Sequence, residues 1–223
     1  MLTRVIILIL VATSSTALTT RFQEGVSPIA AYTHDAVYIR KNQATTNQNN
    51  DPDDELLVGY TNDNTELRGL LEFDLSDIYA GDQIDAASLV LHTGGGLSAS
   101  ITINVYQYDH DFDETSSTWN APGTADATTG GTLGTLLSSV TFDPSISSSP
   151  GSLLTLPSTA AFRSSVASAL AGDGFLRLLV ARSDSSGGGN RFARFRDETI
   201  TPPANRPALT VLQAQPPGTV IRF

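Results

Sequence analysis

The stretch RGLLEFDL at residues 68–75, followed at once by SDIYAGDQIDAASLVLH at 76–92, sets two strand-like runs on either side of one polar turn. Leu67, Gly69, Leu71, Phe73 and Leu75 fall at every second position, with Arg68, Glu72 and Asp74 between them. Side chains alternate across a strand, so this period predicts a half-buried strand whose leucines and phenylalanine face a core and whose charged residues face outward. Leu70 alone breaks the alternation.

Working outward, DAVYIR at 35–40 predicts an earlier strand, and the polar run 42–55 a long exposed loop before a strand at 56–60. After the meander at 68–92, Ile101, Ile103 and Val105 share one face of a strand at 101–108, and residues 132–142 supply one or two short strands. LLTL at 153–156 precedes Ser158, the expected N-cap of one short helix over 159–171 closed by Gly172 or Gly174. Strands at 175–182, 192–196 and 207–213 complete the chain. Some ten short strands and one helix predict an all-β fold, an antiparallel two-sheet jelly-roll β-sandwich.

Residues 1–17 carry one positive charge at Arg4, an apolar run at 5–12 and small residues Ser15 and Ala17 spaced as a cleavage site. These features predict a secretory signal peptide cleaved near Ala17; the apolar run is far shorter than the ~20 residues of a spanning helix. The expected organisation is a signal peptide over 1–17, a linker over 18–31, a sandwich domain over 32–213 and a tail over 214–223. The mature form is expected to be secreted or held at a cell surface, without membrane insertion.

The chain has 223 residues, 40% of them hydrophobic, with 13 basic and 23 acidic side chains and a formal net charge of −10. That balance disfavours phosphate backbones and argues against nucleic acid as a partner. With no cysteine, neither a disulfide framework nor a thiolate metal site exists, and any structural metal is a hard cation held by oxygen. Twelve of the 13 basic residues are Arg, the side chain suited to bidentate recognition of carboxylate or sulfate; genomic base composition gives the same bias.

In order and spacing, DAVYIR at 35–40, RGLLEFDLSDI and GDQIDAASLVLH within 68–92, INVYQY and DETSSTWN within 103–120, GFLRLLVARSD at 174–184, and FRDE with RPALTVL within 195–212 resemble the secreted DNRLRE-type domain. That family belongs to the carbohydrate-binding-module class and is related to disaggregatase-associated domains. The resemblance implies a jelly roll and a noncatalytic module that binds an acidic polysaccharide such as alginate. It departs at the start of the helix, where the family's Asp-Val-Thr is replaced by Leu156, Pro157, Ser158 and Thr159, and at Phe112 before the acidic pair.

Tyr38 and Arg40 share one strand face, Arg194 and Arg196 share another, and Arg68 projects outward. Were these strands neighbours in one sheet, the five would line a concave face, with guanidinium forks for uronate carboxylates and Tyr38 for a sugar ring. Equally, the arginines pair with Glu72, Asp74 and Asp197 as structural ion pairs. Asp109, Asp111 and Asp113, with Glu114, place carboxylates at alternate positions able to wrap a structural Ca²⁺, although no Gly allows the sharp turn. Asp51, Asp53, Asp54 and Glu55 form a second acidic run, and Asp35 is a further candidate by analogy with jelly-roll modules that hold calcium near the chain ends. Trp119, the only tryptophan, is expected to plug the sandwich rather than stack on sugar.

His34, His92 and His110 show no metal-ligand spacing and no nucleophile elbow accompanies them, so an enzyme is not expected. The alternatives are an extracellular structural or adhesive protein and, less favoured, a polysaccharide-degrading enzyme: a lyase with Tyr38 as base beside Arg40, or a hydrolase with a pair of carboxylates that the many acidic residues leave open. The sequence leaves the glycan and the oligomeric state open.

Overall fold

The computed structural model describes residues 17–49, 55–95, 100–143, 150–183 and 191–214. Eleven strands and one α-helix appear in the order β1 (Ala17–Phe22), β2 (Asp35–Arg40), β3 (Glu55–Tyr60), β4 (Glu66–Asp74), β5 (Gln83–His92), β6 (Ile101–Gln107), β7 (Leu136–Phe142), β8 (Leu153–Leu156), α1 (Ala160–Ala171), β9 (Phe175–Arg182), β10 (Arg191–Arg196) and β11 (Ala208–Ala214). One sheet has the order β1-β11-β5-β8 and the other β10-β3-β4-β9-β6-β7, with β2 also paired to β4. Every pairing is antiparallel. The fold is the expected all-β sandwich with one helix.

The alternation in β4 works as the sequence predicts on its inner side. Leu67, Leu71, Phe73 and Leu75 are buried with Leu176, Leu178 and Val180 of β9 and with Leu89 and Leu91 of β5. Phe162 and Val166 of α1 close the same core. The helix starts one residue later than expected: Thr159, not Ser158, is the N-cap, its side chain accepting from the Phe162 amide at 3.0 Å. Ser158 Oγ instead accepts from the Ala87 amide at 3.0 Å, tying the helix entrance to β5.

The segment 18–31, expected as a linker, contains an edge strand. Residues Ala17–Phe22 pair with Ala214–Leu209 of β11, and Phe22 is fully buried. Burying that ring and completing a backbone ladder outweigh the weak strand signal of a Thr-rich segment. Residues 1–16, where the signal peptide was read, lie outside the described residues, as do nearly all of the expected tail.

Leu67 is paired on both sides, with Arg40 of β2 and Gly59 of β3. β3 pairs with β4 at Gly59↔Leu67 and Tyr60↔Glu66, and Leu56 of β3 lies on Gly69. A Cβ at Gly69 would sit 3.0 Å from Leu56 Cδ2, so only glycine allows this approach without displacing Leu56. β10, paired with β3, reaches the end of β5 through the Thr93↔Phe195 bridge and a bond from the Gly94 amide to the Arg194 carbonyl at 2.7 Å.

Candidate functional site

The expected binding surface took Tyr38 and Arg40 from β2, Arg68 from β4 and Arg194 and Arg196 from β10, whereas the outer face of β2, β4 and β9 is covered. Val37, Ile39, Leu70, Leu179 and Ala181 lie beneath Tyr108, Phe112 and Trp119 as a second hydrophobic core. Leu70, the residue that breaks the alternation, is fully buried there. Trp119 is 5% exposed and lies over the sheet face instead of plugging its end. Gly130 takes φ +81° against the indole, where an added Cβ would meet Cζ2 at 2.7 Å.

The five residues proposed to line a glycan face do not converge. Tyr38 pairs opposite Gly69 and is buried in the inter-sheet core, its hydroxyl donating to Gln48 Oε1 at 3.2 Å. Arg68 pairs opposite Ile39 and therefore lies on the opposite face from Tyr38. Arg68 forms an ion pair with Glu66 at 2.6 Å, donates to the Gly130 and Gly131 carbonyls at 2.8 and 3.2 Å, and stacks 5.2 Å from the Trp119 ring. Arg40 donates through Nε to Asn42 Oδ1 at 2.7 Å. Arg194 pairs with buried Glu55 at 3.0 Å and lies over Phe192, while Arg196 is half-buried opposite Glu55 in register. β10 neighbours β3, not β2, which separates these two arginines from Tyr38 and Arg40. Arg68 pairs with Glu66 and Arg194 with Glu55, while Glu72, one of the expected acidic partners, pairs with Arg177.

The four aspartates proposed for calcium divide similarly. Asp109 accepts from Gln107 Nε2 at 2.6 Å, and Asp111 pairs with Arg177 at 3.2 Å. Asp113 accepts from the Thr115 amide at 2.8 Å and hydroxyl at 2.7 Å, which holds its carboxyl below the usual range. Asp35 is pushed up by burial and by the charges of Asp113 and Asp111. Among the described residues, no three Asp, Glu or His side chains come within reach of one metal ion. Asp51, Asp53 and Asp54 lie outside the described residues.

Two clefts remain. The smaller, about 270 Å³, lies between the end of α1 and the start of β9, beside Asp109, Asp173 and Arg177. Arg177 is already shared by Glu72, Asp173 and Asp111 at 2.5, 2.6 and 3.2 Å, so this cleft carries excess negative charge. The larger, about 460 Å³, lies against β1, β5 and β8 and is lined by Arg21, Gln23, Val26, Val90, His92 and Leu153, with Ala204 at its edge. Among the described residues no acidic side chain lines it.

Local structure positions each group of the larger groove. β1 places Arg21 opposite Thr210 of β11, on the side away from buried Phe22. Val90 and His92 follow on β5, opposite Thr155 and Leu153 of β8. Gln23 is anchored beneath by bonds from Nε2 to the Ala204 and Arg206 carbonyls at 3.1 and 2.8 Å. Arg21 is exposed and has no carboxylate partner among the described residues. His92 is 7% exposed, and among the described residues neither ring nitrogen finds a protein hydrogen-bond partner. Burial and then the Arg21 charge lower its pKa, leaving a neutral ring at pH 7 that can donate from one nitrogen and accept at the other. The arrangement offers one cationic fork, one neutral imidazole and an apolar floor. Arg21 escaped the sequence reading because it fell in the presumed linker; the legible trace was the Thr19–Phe22 alternation itself.

Residues 29–143, just over half of the chain, match carbohydrate-binding module family 96, and the chain belongs to that family. The matched segment runs from β2 through β7 and includes His92 and the Trp119 loop. No curated protein matches the chain. The protein is therefore a carbohydrate-binding module whose partner is a glycan. Among the described residues no helix is long and apolar enough to cross a membrane.

Proposed function

We propose that this module is noncatalytic and binds an anionic, uronate-containing polysaccharide through the Arg21–His92 groove, outside the cytoplasm. The observation that supports this reading is Arg21: among the described residues, an exposed guanidinium without a carboxylate partner, in a groove lined by no acid. In a chain of net charge −10, such a place is where a polyanion meets least repulsion. A guanidinium fork matches a carboxylate in geometry and charge, and the Val26, Val90 and Leu153 side chains offer an apolar surface to the C–H face of a sugar ring. His92 supplies the directed hydrogen bond that its own fold leaves unmade. The volume of the groove falls in the ~300–1,000 Å³ range of small-molecule sites, enough for one or two sugar residues at a time.

Affinity electrophoresis of the chain in gels containing alginate, pectin, chondroitin sulfate or a neutral glucan tests the reading. Retardation in the uronate gels, with no release of reducing or unsaturated ends, is the expected result. Retardation only in the neutral glucan would move the site to another surface, and liberated ends would identify an enzyme.

A further inference from the structure

Arg21 stands at the end of a straight row across three strands: it pairs opposite Thr210 of β11, and Thr210 pairs opposite Ser88 of β5. Phe22, Leu209, Val211, Ala87 and Leu89, their neighbours along the chain, lie in the inter-sheet core, so the row faces outward. The register then carries the same face through Val90, with Thr155 of β8 beside it, to His92 in the groove. Thr210 and Ser88 are half-buried and Thr155 is exposed, and among the described residues none of their hydroxyls is hydrogen-bonded within the fold. Along β5 from His92 the first acid is Asp85, at the bulge beyond Ser88, where its carboxylate accepts from Gln83 at 2.8 Å.

We infer that Thr210 and Ser88 form a second sugar subsite that continues the groove, so that the ligand is an internal run of a polyuronate lying across β1, β11 and β5. The inference rests on the groove reading above and extends it from one or two sugars to several. Two strand spacings of about 4.8 Å put Ser88 roughly 10 Å from Arg21, farther than one ring seated on the guanidinium reaches. A serine or threonine hydroxyl both donates and accepts, which matches the hydroxyls of a neighbouring sugar. Being uncharged, the pair leaves the carboxylate to Arg21 and adds no repulsion to a polyanion. His92, 7% exposed with both ring nitrogens unpartnered among the described residues, anchors the groove end of this path. Asp85 bounds the other end, because an exposed acid repels the next carboxylate of the ligand.

The test is titration calorimetry of the full chain with disaccharides and hexasaccharides prepared from alginate and from pectin. A hexasaccharide is expected to bind at least tenfold more tightly than the disaccharide of the same polymer. The double variant Thr210→Val, Ser88→Ala, whose changes lie on the outward face and leave Tm unchanged, should weaken the hexasaccharide about tenfold and the disaccharide not at all. Arg21→Ala should weaken both. Equal affinity for the two lengths, or a hexasaccharide affinity unmoved by the double variant, overturns the second subsite while an Arg21→Ala effect leaves the groove reading standing. Absence of binding by every oligosaccharide, or binding indifferent to Arg21→Ala, overturns both.

Discussion

The Arg68 guanidinium stacks 5.2 Å from the centre of the Trp119 ring and donates to the carbonyls of Gly130 and Gly131, which belong to the same loop. Two side chains with an evident capacity for sugar thus engage each other. Arginine over an indole is a cation–π pair, strengthened here by burial on the tryptophan side. Trp119→Ala should cost about 3–5 kcal/mol of unfolding free energy, as removal of a buried large aromatic does, and Arg68→Ala about 1–3 kcal/mol through its lost charged hydrogen bonds. Urea denaturation measures both. Retardation of Arg68→Ala in polysaccharide gels should equal that of the unaltered chain under conditions where it remains folded.

Asp126 holds the same loop closed. It accepts from the Tyr108 hydroxyl at 2.9 Å, the Thr128 amide at 2.9 Å, and the Thr132 amide and hydroxyl at 2.8 and 2.9 Å. Burial pushes its carboxyl upward, but these hydrogen bonds outweigh that and lower the pKa from 3.8 to about 2. A depressed carboxylate stabilises the fold above its unfolded pKa, and that contribution is lost as pH falls through about 2. Asp126→Asn should therefore be about 2 kcal/mol less stable at pH 7. The gap to the unaltered chain should close as pH is lowered from about 4 toward 2. Denaturation midpoints measured across that interval check the sign.

Thr159 and Ser158 make separable predictions because they serve different partners. Thr159→Ala removes the N-cap of α1 and should cost about 1 kcal/mol, with loss of helical signal on heating. Ser158→Ala removes an acceptor from the Ala87 amide and should loosen β5, read as faster hydrogen exchange at Ala87.

Much of the sandwich was legible because period two survives wherever one face of a strand is buried. β4 shows both the success and its limit. Leu67, Leu71, Phe73 and Leu75 read correctly as core, while Leu70 signalled that the other face is covered as well. A single apolar residue does not say what covers it, and the cover comes from Trp119, some fifty positions later. In β2, Ala36 and Tyr38 alternate with Val37 and Ile39, so both faces are apolar and parity could not assign Tyr38 to the inner core. The candidate groove was less legible still. Arg21, Val90 and Leu153 come from three strands whose adjacency is a property of the sheet order β1-β11-β5-β8, not of any local pattern.

The most direct measurement is titration calorimetry of a uronate oligosaccharide into the chain and its Arg21→Ala and His92→Ala variants. The groove account predicts that Arg21→Ala weakens binding about 10- to 100-fold, the worth of a charge-assisted hydrogen bond to a carboxylate. His92→Ala should weaken it about fivefold. Affinity undiminished in both variants, or equal affinity for a neutral oligosaccharide of the same length, would contradict it.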